Sequence, residues 1–418
     1  MFEYGALSVP SGRMGSGLID GEACMGGEVR YIGAAERRAR LALRQRLAGA
    51  ARAGSPEEVA GSLVALHGTD PATVYLAVGA RLTDPGVTVA ETERALYGDG
   101  SLVRMHGMRH TVFVFPTDLT AVVHASTGLT VGARERASLL KSMAKAGAPD
   151  ASWLKEVEES TLAALARRGQ ATAAELAEDE PRLREQFVYA AGKSYEGVHT
   201  VSTRLLRVLG VEGKVVRGRP LGSWTSSQFR WAVAPPHPEL DAVEAQAVLL
   251  GRWLAVCGPA TEDDLKWWTG WKVTDVRRAL ASIGARPVEL DEGTGYVVED
   301  DVDPVAGPAE PWAALLPALD PTAMGWRDRD WYLAPELRPP LFDGSGNVGP
   351  TVWWNGRVVG GWAQRRDGEI TWRVLEPGGV GRQAEAAIAD EARRLQAWVG
   401  TTKVTPRFRT PLERELTG

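Results

Sequence analysis

Lysine is nearly missing from this chain. It supplies 8 of the 48 basic residues, and none stands before Lys141. A lyase that cleaves through a Schiff base needs an amine nucleophile, so any catalytic centre in the first third must act through water instead. Cysteine is equally scarce. Cys24 and Cys257 are the only two, far apart and without metal-ligand spacing. Disulfide scaffolds and structural zinc are excluded on that basis. No run of 18 apolar residues exists, and the first thirty residues hold seven glycines but no apolar signal segment. Neither a membrane span nor a secretory leader is expected, which predicts a cytoplasmic protein. Gly-rich phosphate loops, nucleophile elbows and metal-binding helices are also missing, so nucleotide hydrolysis and metal chemistry gain no support. No cofactor is expected.

What is present is 418 residues, 44% apolar and 24% charged, enough for three or four domains. The net charge of −5 argues against a nucleic-acid partner. The distribution of charge reverses that reading. Residues 30–52 carry seven arginines against Glu36 alone, a balance of +6, while residues 286–310 hold eight acids against Arg286. Residues 204–230 are basic again, with six cations against Glu212. Arginine makes up 40 of the 48 basic residues. GC-rich coding explains that ratio, but not the clustering. The rigid guanidinium fork suits bidentate phosphate contact.

Residues 1–30 are expected to be poorly ordered, with a first helix beginning near Ala34, where strong helix formers run through Arg44. Ser55 before Pro56 marks a second helix to about Leu66, Asp70 before Pro71 a third over Ala72 to Leu82, and Val89 to Leu96 a fourth. Two β-like runs follow, Ser101 to Met105 and Thr111 to Phe115. Helices followed by a hairpin is the winged-helix order. The order recurs twice. Helices at Trp153 to Ala166, Ala171 to Ala177 and Val198 to Leu209 precede strands at Lys214 to Arg217 and Trp224 to Ser226. After the proline-rich break at Pro235 and Pro236, helices at Ala245 to Ala255, from Thr261, and at Val273 to Ile283 precede strands at Pro287 to Leu290 and Gly295 to Val298. Beyond the acidic linker, eight of the fifteen tryptophans lie from Trp312 onward, in short runs such as Trp331 to Leu333, Thr351 to Trp354 and Ile370 to Val374. These suggest a barrel-like β module closed by a helix from Arg382 to Trp398. The expected class is α+β: three tandem winged-helix (helix-turn-helix) domains in a C-shape at 31–150, 151–236 and 237–305, plus a C-terminal β-barrel-like domain at 306–418.

The polar segment Leu66-His67-Gly68-Thr69-Asp70-Pro71 draws attention. A neutral imidazole at the mouth of a turn can accept a proton from water, with Thr69 and Asp70 beside it. The plainer reading makes Asp70 the N-cap of the next helix and His67 a structural hydrogen-bonder. Arg104, Arg109 and His110 flank the turn of the first hairpin, where wing tips commonly meet the DNA backbone or minor groove; solvated charges are the alternative. Arg37 and Arg38 in the first helix, with Arg204, Arg207, Arg217 and Arg219 in the second unit, complete the candidate DNA contacts. The tryptophans are read as core packing rather than base-stacking platforms.

These residues resemble a known family. Leu66 to Pro71 before Tyr75 and Arg81, then Ser101-Leu102-Val103-Arg104 with Met108-Arg109-His110-Thr111, and finally Leu315 to Pro321 with Asn355 to Trp362, look like the winged-helix DNA-binding proteins that include the AlkZ and YcaQ DNA glycosylases. The likeness spans about Ala34 to Gly400. It implies a concave DNA-binding surface and excision of bulky N-alkylated purines, including crosslinks and natural-product adducts, from duplex DNA. The protein is expected to act as a monomer. The family's site is a pair of polar residues around one apolar residue, which falls here on His67, Gly68 and Thr69. Gly68 replaces the apolar spacer, and Thr69 offers a hydroxyl where an amide or carboxylate is usual. The expected activity is a monofunctional DNA glycosylase acting in repair or self-resistance. The competing class is a non-catalytic DNA-binding protein or transcriptional regulator.

Overall fold

The structure, a computed structural model, describes residues 29–84, 86–147, 149–193 and 196–418. The disorder expected for residues 1–30 therefore falls almost wholly outside the described residues. The first helix, α1 (Ala34–Arg44), begins where the sequence predicts. The next, α2 (Pro56–Gly61), is capped by the Ser55 side chain, which accepts from the Glu58 N–H. It stops five residues short of the expected Leu66. Val64 adopts φ 63°, a left-handed conformation that a β-branched residue resists, and the chain turns into a strand, β1 (Leu66–His67). Two helices follow, α3 (Pro71–Gly79) and α4 (Val89–Tyr97), then the hairpin β2 (Leu102–His106) and β3 (Val112–Pro116). The short strand pairs antiparallel with the hairpin in the order β1-β3-β2.

After α5 (Thr117–Val123) and α6 (Leu129–Lys145), neither foreseen as separate helices, the pattern repeats. The second unit runs α7 (Ala151–Arg168), β4 (Gln170–Ala171) and α8 (Ala173–Asp179), then an extra hairpin β5 (Gln186–Tyr189) and β6 (Gly197–Thr200), and α9 (Val201–Val211), β7 (Val215–Pro220) and β8 (Phe229–Val233). Its sheet order is β4-β8-β7. Two expectations are corrected. Val198 to Thr200 belong to a strand rather than to the helix, because Val198 pairs with Val188 across the hairpin. Trp224 is not in a strand; it sits in the loop before β8 and packs against Tyr75 and Trp398, so burial of a large apolar side chain and not pairing fixes it. The third unit comprises α10 (Ala242–Cys257), β9 (Ala260–Thr261), α11 (Glu262–Thr269), α12 (Val273–Ser282), β10 (Arg286–Leu290) and β11 (Gly293–Val297), with sheet order β10-β11-β9.

The remainder holds β12 (Ala313–Leu316), α13 (Arg338–Leu341), β13 (Thr351–Trp354), β14 (Arg357–Gln364), β15 (Ile370–Val374), α14 (Arg382–Val399) and α15 (Pro411–Thr417). The four strands form one open antiparallel sheet, β12-β13-β14-β15, and not the expected barrel. Four strands are too few to close around a filled interior. Alternation instead buries both faces: Ala314, Leu316 and Trp353 join a core with Trp253, Trp326 and Tyr332, while Ala313, Leu315 and Val352 join another with Tyr75 and Ile388. The run Trp331 to Leu333, expected as a strand, is a turn whose side chains fill the first of these cores.

The first and third units thus share cores with the terminal sheet. The second unit keeps its own, built around Leu165, Leu205 and Trp231. Among the described residues no helix is long and apolar enough to cross a membrane.

Candidate active site

His67 ends β1, opposite Phe113 in register. The Gly68 N–H donates to the Val112 carbonyl at 2.8 Å, which holds the segment onto the hairpin. A Cβ on residue 68 would meet the backbone of Val112 and Phe113 at 3.3 Å, which explains a glycine where the family pattern has an apolar side chain. The imidazole is 9% exposed and meets the Phe113 ring edge-on at 5.4 Å. Burial, reinforced by the Arg109 guanidinium, pushes its pKa down to about 3. His67 is therefore neutral at physiological pH. Its Nδ1 is buried without a hydrogen-bond partner. The ring lines a cavity of about 20 Å³, the room of a single water, together with Gln45, Arg109, Trp253, Cys257 and Trp268.

Thr69 is half-buried. Asp70 does what the plainer reading predicts: its Oδ1 accepts from the Ala72 N–H at 3.2 Å and caps α3. Its Oδ2 accepts from the Arg407 N–H at 2.9 Å, so both oxygens are engaged by backbone. Burial raises its pKa against the pull of those two N–H groups. The carboxylate lines a different cavity, with Thr73, Leu76, Trp362 and Gln364. The fold does not bring Asp70 into the His67 cavity.

The candidate arginines separate into two kinds. Arg37 lies inside the protein, its side chain 1% exposed, paired with Glu292 at 2.8 Å and stacked 4.3 Å from the Trp331 ring. Glu292 already compensates its charge, so it is not an open phosphate contact. Arg38 donates to the Trp331 carbonyl at 2.7 Å. Around them Arg40 and Arg44 share Asp301, at 2.7 and 2.5 Å. The basic front and the acidic linker, far apart in sequence, thus neutralise each other at one internal seam. Arg219 pairs with Glu93 of α4 at 2.9 Å, tying the second hairpin to the first unit.

The others converge on the first hairpin. His110 Nδ1 lies 2.7 Å from Glu135 Oε1, and Arg204 and Arg207 approach the same carboxylate at 3.3 and 3.5 Å. Burial opposes ionisation of Glu135, but His110, Arg207 and Arg204 outweigh it and hold its pKa at about 2. Arg104 on β2 is 4% exposed, and its Nε and Nη2 have no partner. Arg217 on β7 stacks 4.3 Å from Phe229, and Arg109, at φ 52°, stacks 4.0 Å from Trp267 of α11. Burial pushes both guanidinium pKa values down to about 10. Gln45, Trp267, Arg329 and Arg407, which border these groups, were not singled out from sequence. They come from remote segments, and no local spacing marks them.

A family model described as DNA glycosylase AlkZ-like matches residues 60–398. Among solved structures, Streptomyces sahachiroi DNA glycosylase AlkZ matches with a TM-score of 0.66 and 19% sequence identity, covering 90% of this chain and 98% of its own. No curated protein matches the sequence.

Proposed function

Because the chain belongs to the AlkZ-like DNA glycosylase family, we propose that it hydrolyses the N-glycosidic bond of N7-alkylated or bulky-adducted purines in duplex DNA, with His67 holding the attacking water. In this reading residues 31–150, 151–236 and 237–305 are three winged helices, each with its short strand antiparallel to its hairpin, and the protein works as a monomer in repair or self-resistance. The observation that carries the assignment is His67 itself: a neutral imidazole whose Nδ1 is buried without a partner, in a residue that lines a water-sized cavity, at the position of the family's polar pair. Alkylation at N7 makes guanine a cationic leaving group, so the sugar gains oxocarbenium character without strong acid help. The protein then needs only to place a water and orient it. His67 accepts one of that water's hydrogens, and Thr69 stands two residues on in the bend that follows β1. Arg104, Arg109, Arg204, Arg207 and Arg217 face the DNA.

The test is incubation with duplex carrying N7-methylguanine or a bulky N7 adduct, followed by quantification of free base and abasic sites. We expect release by the parent protein and at least a hundredfold slower release by His67→Ala, within the range typical of removing a group that handles a proton. Undiminished release by the variant would defeat the role of His67.

A second reading, a lesion binder without turnover, is favoured by one observation. Both Asp70 oxygens are engaged by backbone N–H groups, which leaves His67 without a carboxylate to assist it. Tight binding of adducted duplex with no base released would establish that alternative.

A further inference from the structure

Among the described residues, every arginine that is not exposed makes a hydrogen bond or ion pair to a carbonyl or carboxylate oxygen, with four exceptions: Arg104, Arg109, Arg217 and Arg329. A guanidinium withdrawn from water without a counter-charge is costly, and a chain that pairs the rest of its inward arginines has left these four open. They are not scattered. Arg104 and Arg217 are electrostatic neighbours, and Arg207 and the exposed Arg407 also act on Arg217. Arg109 and Arg329 both lie over the indole of Trp267, at 4.0 and 5.1 Å. One pair adjoins Asp70, whose carboxylate feels Arg104 and Arg407. The other adjoins His67, whose cavity Arg109 lines.

We propose that these are two phosphate seats flanking the His67 to Asp70 segment, each taking a different phosphodiester of the bound duplex: Arg104 with Arg217, and Arg109 with Arg329. The seats differ in their walls, so they hold different phosphates. The first lies where β2 meets the second unit, with Arg217 lying over Phe229; the second lies where the hairpin turn meets α11. That turn is built for close approach: a Cβ at Gly270 would come 3.1 Å from Arg109 Cγ, and Arg109 and His110 both hold positive φ, at 52° and 60°. Such consecutive left-handed residues are strained, and strain of this kind concentrates where a binding group must be aimed.

The second seat bears on the chemistry. An uncompensated cation beside His67 opposes the positive charge that grows on the sugar during cleavage. A phosphate held between Arg109 and Arg329 removes that opposition only when DNA is in place. This rests on the DNA glycosylase reading above, but its test does not require base release.

The experiment measures binding of an undamaged duplex by fluorescence anisotropy across a range of KCl concentration. For each phosphate that a variant no longer neutralises, the slope of log K against log salt falls in magnitude by roughly 0.9. R104M, R217M, R109M and R329M should each lower it by about that amount. Within a seat the double variant should lose no more than either single variant, because one phosphate is shared; across seats the loss should approach twice that value. The lysine variants R217K and R329K should keep most of the slope, and the methionine variants should unfold at or above the parent temperature, because an uncompensated charge has been removed. Unchanged slopes, equal losses within and across seats, or methionine variants that unfold well below the parent would overturn the proposal. Base release with unchanged slopes sinks the seats alone; normal slopes without base release sink the glycosylase reading alone.

Discussion

His67 and His106 are both held near pKa 3, from an ordinary value of 6.5, in each case first by burial and then by neighbouring arginines. An imidazole depressed in this way binds its proton in the unfolded chain well before it does so in the folded one. Stability from each is fully present above pH 6.5 and is lost as the pH falls toward 3. At pH 5 the loss amounts to roughly 2 kcal/mol per histidine. We predict that urea unfolding of the parent shows this fall between pH 7.5 and 5, and that His67→Asn shows a smaller one. An identical fall in the variant would mean that His67 is not held neutral by its surroundings. His67 was legible from sequence as a polar residue in an apolar run. How far its pKa is held below the ordinary value was not, because Arg109 and Trp253 approach it from other elements.

Among the elements, those with local signals were readable. Ser55 and Asp70 cap helices as expected, and the start of α1 at Ala34 follows from composition alone. What escaped was pairing at a distance. Leu66 and His67 became a strand because Val114 and Phe113 offer a register, and the hairpin inserted before α9 had no turn signal strong enough to separate it from the helix. The Asp70 cap is also more than a cap, because its second oxygen reaches a segment 337 residues away. Asp70→Ala should destabilise the protein by about 1 kcal/mol, the usual worth of such a cap. Hydrogen exchange should quicken at both Ala72 and Arg407. Exchange that quickens at Ala72 alone would show that the C-terminal segment is held by other interactions.

Across the molecule, two of the sequence elements that carry the family resemblance meet in one joint. Arg81, from the end of the α3 segment, donates twice to Asp320, at 2.9 and 2.7 Å, and once to Thr322 at 2.7 Å. Both partners of the Arg81 and Asp320 pair are 0% exposed, and Thr322 passes its own hydroxyl hydrogen to Gln45 at 2.5 Å. Removing one member of a fully buried pair leaves an unmatched charge, so Asp320→Ala should cost about 3–5 kcal/mol in chemical denaturation. Replacing both members by apolar residues of similar volume, as in R81M with D320L, should recover most of that loss. No recovery would show that the joint depends on its hydrogen bonds rather than on its charges.

The seam between α1 and the acidic linker bears on how the chain is made. Arg37 must wait for Glu292, a partner 255 residues downstream. At about 5–20 residues per second, synthesis leaves the arginine-rich first helix with Glu36 as its one carboxylate for roughly ten to fifty seconds. During that interval the nascent segment is a largely uncompensated polycation in a cell full of RNA, and the acids that silence it are among the later residues to emerge.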